Sequence, residues 1–141
     1  MAVASLAALG ALVDSLLVGA GLKASSVAFS VERVPDTVEH RAFVVLPATT
    51  ERVAGSGFVE WTIELEVRVA YMMPAFRSET TTLQQMIFPD VELIQQVLHD
   101  GLLEADVVRP GAWATAFLPS EDGQSHVLVI RVPILLCQNT P

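Results

Sequence analysis

Between Val59 and Tyr71 every odd position is apolar (Val59, Trp61, Ile63, Leu65, Val67, Val69, Tyr71), while the even positions carry Glu60, Thr62, Glu64, Glu66, Arg68 and Ala70. Period-two alternation of this length predicts a β-strand with one face in a core and one face in water. At ~3.3 Å per residue it would span about 40 Å, more than twice the usual strand. A small domain covers such a strand only if a bulge bends it over its own core, or if one end projects toward another subunit.

Elsewhere the period changes. Leu6, Leu9, Leu12, Val13, Leu16 and Leu17 recur at helical spacing and predict a helix from about residue 3 to 18, stopped by Gly19 or Gly21. Its other face is small (Ala4, Ala7, Ala8, Ala11, Ser15). Val27–Val34 reads as a short strand and Arg41–Leu46 as a second that Pro47 ends, followed by a polar loop over Ala48–Gly57 expected to become ordered only against a partner. After the long strand, Pro74 blocks continuation. Thr82 and Gln85 resemble a capping box for a short helix through Leu83, Met86 and Ile87, which Pro89 breaks. Asp90 then caps a helix carrying Val91, Ile94, Val97, Leu98 and Leu102, with Gly101 a plausible end. One kinked helix over the whole stretch is the alternative. Ala112–Leu118 and His126–Leu136 form a closing hairpin around Asp122-Gly123, with Pro133 demanding an edge or a bulge. The order α-β-β-β-α-β-β with short connections predicts an α+β fold. Its mainly antiparallel sheet has four to five strands and carries two helices on one face. No linker or repeat divides the chain, so 1–141 reads as a single domain whose residues 137–141 are a short polar tail.

Composition sharpens this picture in one respect. Hydrophobic residues make up 52% and charged ones 17%, so the shortfall against an ordinary soluble domain is in solvating charge, as on a surface that a partner covers. The charge present is acidic: eight Lys plus Arg against sixteen Asp plus Glu, net −8. No basic stripe exists to neutralise phosphates, which excludes tight nucleic-acid binding but suits a surface past which DNA moves without sticking. The N-terminus looks superficially like a signal peptide, but it lacks a basic n-region and Asp14 interrupts it. No apolar run is long enough to span a bilayer.

Candidate chemistry is sparse. His40, His99 and His126 fall in separate segments without metal-ligand spacing, and His99 with Asp100 are helix neighbours that point apart. Gly55-Ser56-Gly57 lacks the lysine and helix of a phosphate loop. Cys137, the one cysteine, reads as a packed small hydrophobe. Glu60, Glu64 and Glu66 form an acidic stripe more consistent with a solvated sheet face than with a cation site. No catalytic residue, cofactor site or metal site emerges, and the expectation is a protein that is not an enzyme.

The N-terminal helix AVASLAALGALVDSLL, RAFVVLP, the strand FVEWTIELEVRVAY, the helix near FPDVELIQQVLHDG and the closing HVLVIRVPILL together resemble the tail terminator proteins of long-tailed bacteriophages, in pattern and over nearly the whole chain. The resemblance implies a ring, typically a hexamer, that caps the tail tube and meets the head connector. DNA would pass through it without specific binding, no membrane would be involved, and the protein would reside in the virion after synthesis in the host cytoplasm. Its partners would be copies of itself, the tube protein and a head-completion or connector protein. Another neck or tail ring protein fits the same features, and a small ligand-binding or enzymatic α+β domain is the reading from a different class. On the ring reading, Glu60, Glu64, Glu66 and Arg68 are candidates for the subunit interface or lumen, and Arg68→Glu should weaken assembly without unfolding the monomer. Arg52, Ser56 and Arg77 are candidates for partner contact.

Overall fold

The structure, a computed structural model, describes residues 5–72, 80–107, 109, 111–121 and 123–139. Helix α1 (Leu6–Gly19) opens on Ser5, whose hydroxyl accepts the Ala8 N–H at 3.1 Å, so a serine cap satisfies one orphan donor of the first turn. It closes on Gly21 at φ 98. Gly21 N–H donates to the Val18 carbonyl and Leu22 N–H to that of Leu17. This left-handed stop lets Leu22 pack beside Leu17 in the core.

Five strands follow: β1 (Lys23–Ala24), β2 (Ala42–Gly55), β3 (Phe58–Met72), β4 (Ala114–Pro119) and β5 (Ser125–Asn139). They form one sheet in the order β1-β2-β3-β5-β4. All neighbours are antiparallel except β1 against β2. Helix α2 (Thr80–Glu104) lies between β3 and β4 in sequence. The fold is therefore α+β in the expected order α-β-β-β-α-β-β. The odd residues of β3 and the even residues of β5 share one face. There Ile63, Val67, Val69, Ile130 and Ile134 meet Leu9, Val13 and Leu17 of α1 and Ile94, Leu98 and Leu102 of α2. Both helices thus lie on the same side of the sheet. Part of the other face is closed by the segment 25–41, where Phe29 and Val38 cover Ala70, Val127 and Val129.

Several local expectations are corrected. Val27–Val34 is not a strand: its alternation serves a covering segment without ladder hydrogen bonds, and the first strand is the short β1. Pro47 does not end β2, which runs on to Gly55 after the register shifts between Pro47 and Thr49. That bulge absorbs Ala48, so most of the expected polar loop is strand. Pro89 does not break α2. Gln85, whose carbonyl loses its donor to the proline, lies on the exposed side, and Ile87 and Ile94 anchor both flanks in the core. The single-helix alternative is the observed one, and it places Thr82 inside the helix rather than at a cap. Gly101 also lies inside α2. Its missing side chain makes room for Leu16, which would stand 2.4 Å from an added Cβ. The helix runs on to Glu104 and is closed just beyond by Asp106 at φ 59, where Val107 N–H donates to the Leu102 carbonyl.

Pro133 sits in a strand flanked on both sides, but beyond the last β4 pairing at Arg131. Leu135, two residues on, turns its N–H away from β3 to the Val107 carbonyl at 3.0 Å, so Pro133 presents its missing donor on that same open side. Gln138 and Asn139 continue β5 rather than forming a tail. Pro74, Asp122 and Ala4 lie outside the described residues.

Candidate assembly surface

Beyond Pro47 on β2 and Ile63 on β3 the sheet leaves the helices behind. Every β2 residue from Pro47 to Gly55 is exposed. The strands join through Ser56 and Gly57, the latter at φ 81, which glycine adopts without strain. Only the end of β5 accompanies this hairpin, pairing Phe58 with Asn139 and Trp61 with Leu136. The result is a three-stranded arm.

Its residues are held in place locally. The Phe58 ring packs over Gly55, where an added Cβ would clash with it, yet Phe58 remains 41% exposed and Val53 50% exposed. Val53 opposes Glu60 in register and Gly55 opposes Phe58, which sets Val53 and Phe58 side by side on one face. On the opposite face the Arg52 guanidinium lies 5.9 Å over the Trp61 ring, whose Nε1 donates to Gln138 Oε1 at 3.0 Å. Arg52 and Ser56 therefore both belong to the arm, one on its shaft and one at its tip, while Arg77 lies outside the described residues.

Among the described residues the outer edge of β2 is paired only at Ala42 and Phe43, by β1. Lys23 and Ser25 donate to the carbonyls of Arg41 and Phe43, so odd residues face outward before the bulge. Pro47 shares that parity and leaves the edge one donor short, a common guard against indiscriminate strand pairing.

The charged stripe on the sheet face away from the helices is not the solvated row expected. Glu66 is only 8% exposed. It contacts Arg68 Nε, and Arg131 Nε reaches its other oxygen at 3.3 Å. Arg68 also donates to the Phe29 carbonyl at 2.8 Å, and Arg131 reaches Glu64 at 3.5 Å. Glu64, Glu66 and Arg68 thus come together as a charge-balanced network, completed by Arg131. Sequence reasoning passed over Arg131, although it is the one Lys, Arg, Asp or Glu in β5. Glu60 stands apart near the arm, 3.7 Å from the Cys137 thiol. Cys137 is exposed rather than packed, because its parity in β5 turns it to the uncovered face.

A second polar cluster lies at the opposite end of the sheet. Asp90 accepts from Arg41 Nε at 3.1 Å, Arg41 Nη2 at 2.9 Å and the Tyr71 hydroxyl at 2.7 Å. It is a buried acceptor in mid-helix rather than the expected cap. Arg41 holds φ 63, a strained value for a side-chain-bearing residue, which this bidentate pair and its N–H bond to Ala70 secure. Burial first, then the hydrogen bond to Asp90, push the Tyr71 hydroxyl far above its ordinary value. His40 accepts the Met72 N–H on Nδ1, and burial, followed by the Arg41 charge, lowers its pKa. His126 stacks on Phe117 with ring centroids 4.9 Å apart. Its Nδ1 is buried with no hydrogen-bond partner among the described residues, and burial lowers its pKa as well. These groups are committed to one another, and Tyr71 is fully buried, which makes the cluster a structural clamp between α2 and the sheet.

His99 and Asp100 come closer than helix geometry suggested, Nδ1 to Oδ1 3.6 Å, but both are more than half exposed and too far apart for a hydrogen bond. They share an open cleft with Glu92, Gln95 and Trp113. Among the described residues no group of three or more His, Cys, Asp or Glu is placed to hold a metal, and no helix is long and apolar enough to cross a membrane. No protein-family model and no curated protein sequence matches this chain.

Proposed function

We propose that this chain is a structural virion protein whose copies form the ring that ends the tail tube of a long-tailed bacteriophage and joins it to the head connector. Its partners on this reading are further copies of itself, the tube protein and a connector protein, and it performs no catalysis. The carrying observation is the arm: a three-stranded projection whose β2 edge has no strand partner among the described residues, with exposed Val53 and Phe58. An isolated monomer gains nothing from such a feature and is exposed to aggregation by it, whereas an assembling subunit uses it. The sequence resemblance points the same way. The balanced Glu64–Glu66–Arg68–Arg131 network serves the subunit's own stability, so this reading assigns assembly to the arm, which carries Glu60. Sedimentation equilibrium over a wide concentration range tests the reading. A closed oligomer, a hexamer above all, supports it. A monomer mass at every concentration counts against it and favours the ligand-binding alternative.

A further inference from the structure

The three-stranded arm carries charge of opposite sign on its two faces. Register sets Glu51 against Thr62 and Val53 against Glu60, which places Glu51, Val53, Phe58 and Glu60 together on the face away from the helices. Beyond Glu64 the three strands present no Lys or Arg on that face. The other face is the converse: Arg52 stands against Trp61, and beyond Ile63 the strands present no Asp or Glu there. Among the described residues neither Glu51, Glu60 nor Arg52 forms an ion pair. One sheet separates the acids from the base, so an arm cannot match its own charges, but a second copy of the chain can. We infer that the arms of successive copies stack face to back, with Arg52 of one copy against Glu51 and Glu60 of the next. This rests on the ring reading and names the two surfaces that meet.

Charge is one argument for a second copy as the occupant, and three others agree with it. Stacked sheets lie about 10 Å apart and interdigitate the side chains of their facing surfaces, a spacing that an arginine bridges. Arg52 already rests 5.9 Å over the Trp61 ring, so it loses little freedom on docking, and Arg and Trp are frequent energetic centres of interfaces. Val53 and Phe58, 50% and 41% exposed on the acidic face, supply apolar area that stacking would remove from water. The two surfaces are also different patches of one chain, so the contact is head-to-tail, the kind that closes into rings or extends into filaments. A two-fold pair of arms would instead set Arg52 against Arg52, or acid against acid, and like charges disfavour it.

Charge reversal tests the contact from both sides. Arg52→Glu and the double change Glu51→Arg/Glu60→Arg should each assemble at least about tenfold more weakly than the unchanged protein in sedimentation velocity. Mixed 1:1, the two variants should regain assembly, because every reversed face then meets an opposite charge on the other variant. The triple change Arg52→Glu/Glu51→Arg/Glu60→Arg should regain it alone. Far-UV circular dichroism and a thermal melt check that each variant is folded, and Arg52→Gln, which removes only the charge, carries the same expectation of weaker assembly. If the unchanged protein assembles and the reversals leave its affinity as it was, this contact is wrong while the ring stands on another surface. If only the acidic face responds, that face meets a different cation and the stacking of arms is overturned. Failure of both the mixture and the triple change to assemble overturns it as well. A monomer at all concentrations overturns contact and ring together.

Discussion

Replacing Asp90 with Ala should cost about 3 kcal/mol, assembled from two losses that the geometry makes explicit. The Tyr71 hydroxyl, in a residue 0% exposed and donating at 2.7 Å, loses its carboxylate acceptor, at ~1–3 kcal/mol. The Arg41 guanidinium loses a bidentate carboxylate. One-sided removal of a fully buried pair costs ~3–5 kcal/mol, but the Arg41 side chain keeps 32% exposure and water recovers part of that. For a domain with roughly 5–15 kcal/mol in total, 3 kcal/mol is a large fraction, equivalent to a fall of about 10 °C in Tm. Urea unfolding followed by tryptophan fluorescence, at a dilution where the chain is monomeric, reads the difference. Tyr71→Phe removes the hydroxyl that donates to Asp90, so Tyr71→Phe/Asp90→Ala should be less destabilised than the sum of the single changes by about 1 kcal/mol. A loss below about 1 kcal/mol for Asp90→Ala, or strict additivity in the pair, would falsify the account of this clamp.

Two glycines of the helices should respond in opposite directions. Gly10→Ala gains ~0.5–1 kcal/mol from helix propensity in open space, whereas Gly101→Ala should be net destabilising because Leu16 occupies the position of its Cβ; thermal melts of both rank them, and a stabilised Gly101→Ala refutes the packing argument. His126 and His40 both have pKa values lowered in the fold from 6.5. Unfolding therefore takes up protons, and the stability present above about pH 6.5 is lost progressively as pH falls through and below it. His126→Phe keeps the stack on Phe117 and should flatten that dependence, so an unchanged slope of stability against pH between 5 and 7 would rule His126 out as its source. Arg68→Glu should unfold the subunit rather than merely release it from an assembly, by about 2–4 kcal/mol, since it sets a second carboxylate beside the buried Glu66. A folded Arg68→Glu monomer of unchanged melting temperature would return Arg68 to the list of interface residues.

The parts of the fold legible in the sequence are those whose signal is local. Strand β3 and helix α1 announce themselves by period alone, and the closing hairpin by its turn and flanking alternation. The misreadings share a cause in tertiary packing. Pro47 looked terminal because a proline weakens a strand by itself, but at an outward edge position it forfeits no ladder bond, and Thr49, Thr50 and Val53 beyond it are β-formers that a polar-loop reading discounted. Pro89 looked like a break because its cost is local, whereas the core contacts of Ile87 and Ile94 that offset it are not. Asp90 matched a cap in sequence, and only the return of Arg41 and Tyr71 from distant positions makes it a buried acceptor. The charged stripe was placed on the correct strand face, but its partner Arg131 lies 65 residues from Glu66 and no spacing rule connects them.

The two ends of the sheet differ in a way that bears on assembly. At one end the segment 25–41 covers the face away from the helices, and the Arg41–Asp90–Tyr71 clamp ties α2 to β3. At the other end three strands extend with no helix of the described residues along them, with Val53 and Phe58 exposed near their tip and a groove at their root. Opening the clamped end requires breaking buried charge-assisted bonds, so local unfolding there is costly. The arm has few buried contacts and keeps its shape through the β2–β3–β5 ladders, the bulge at Ala48 and the Phe58–Gly55 and Arg52–Trp61 contacts. On the proposed ring reading, a contact made at this arm would hold the neighbouring copy in a fixed relation to the clamped end of the first subunit. On that reading the angle between successive copies would be set chiefly by the bulge and twist where the arm leaves the helices.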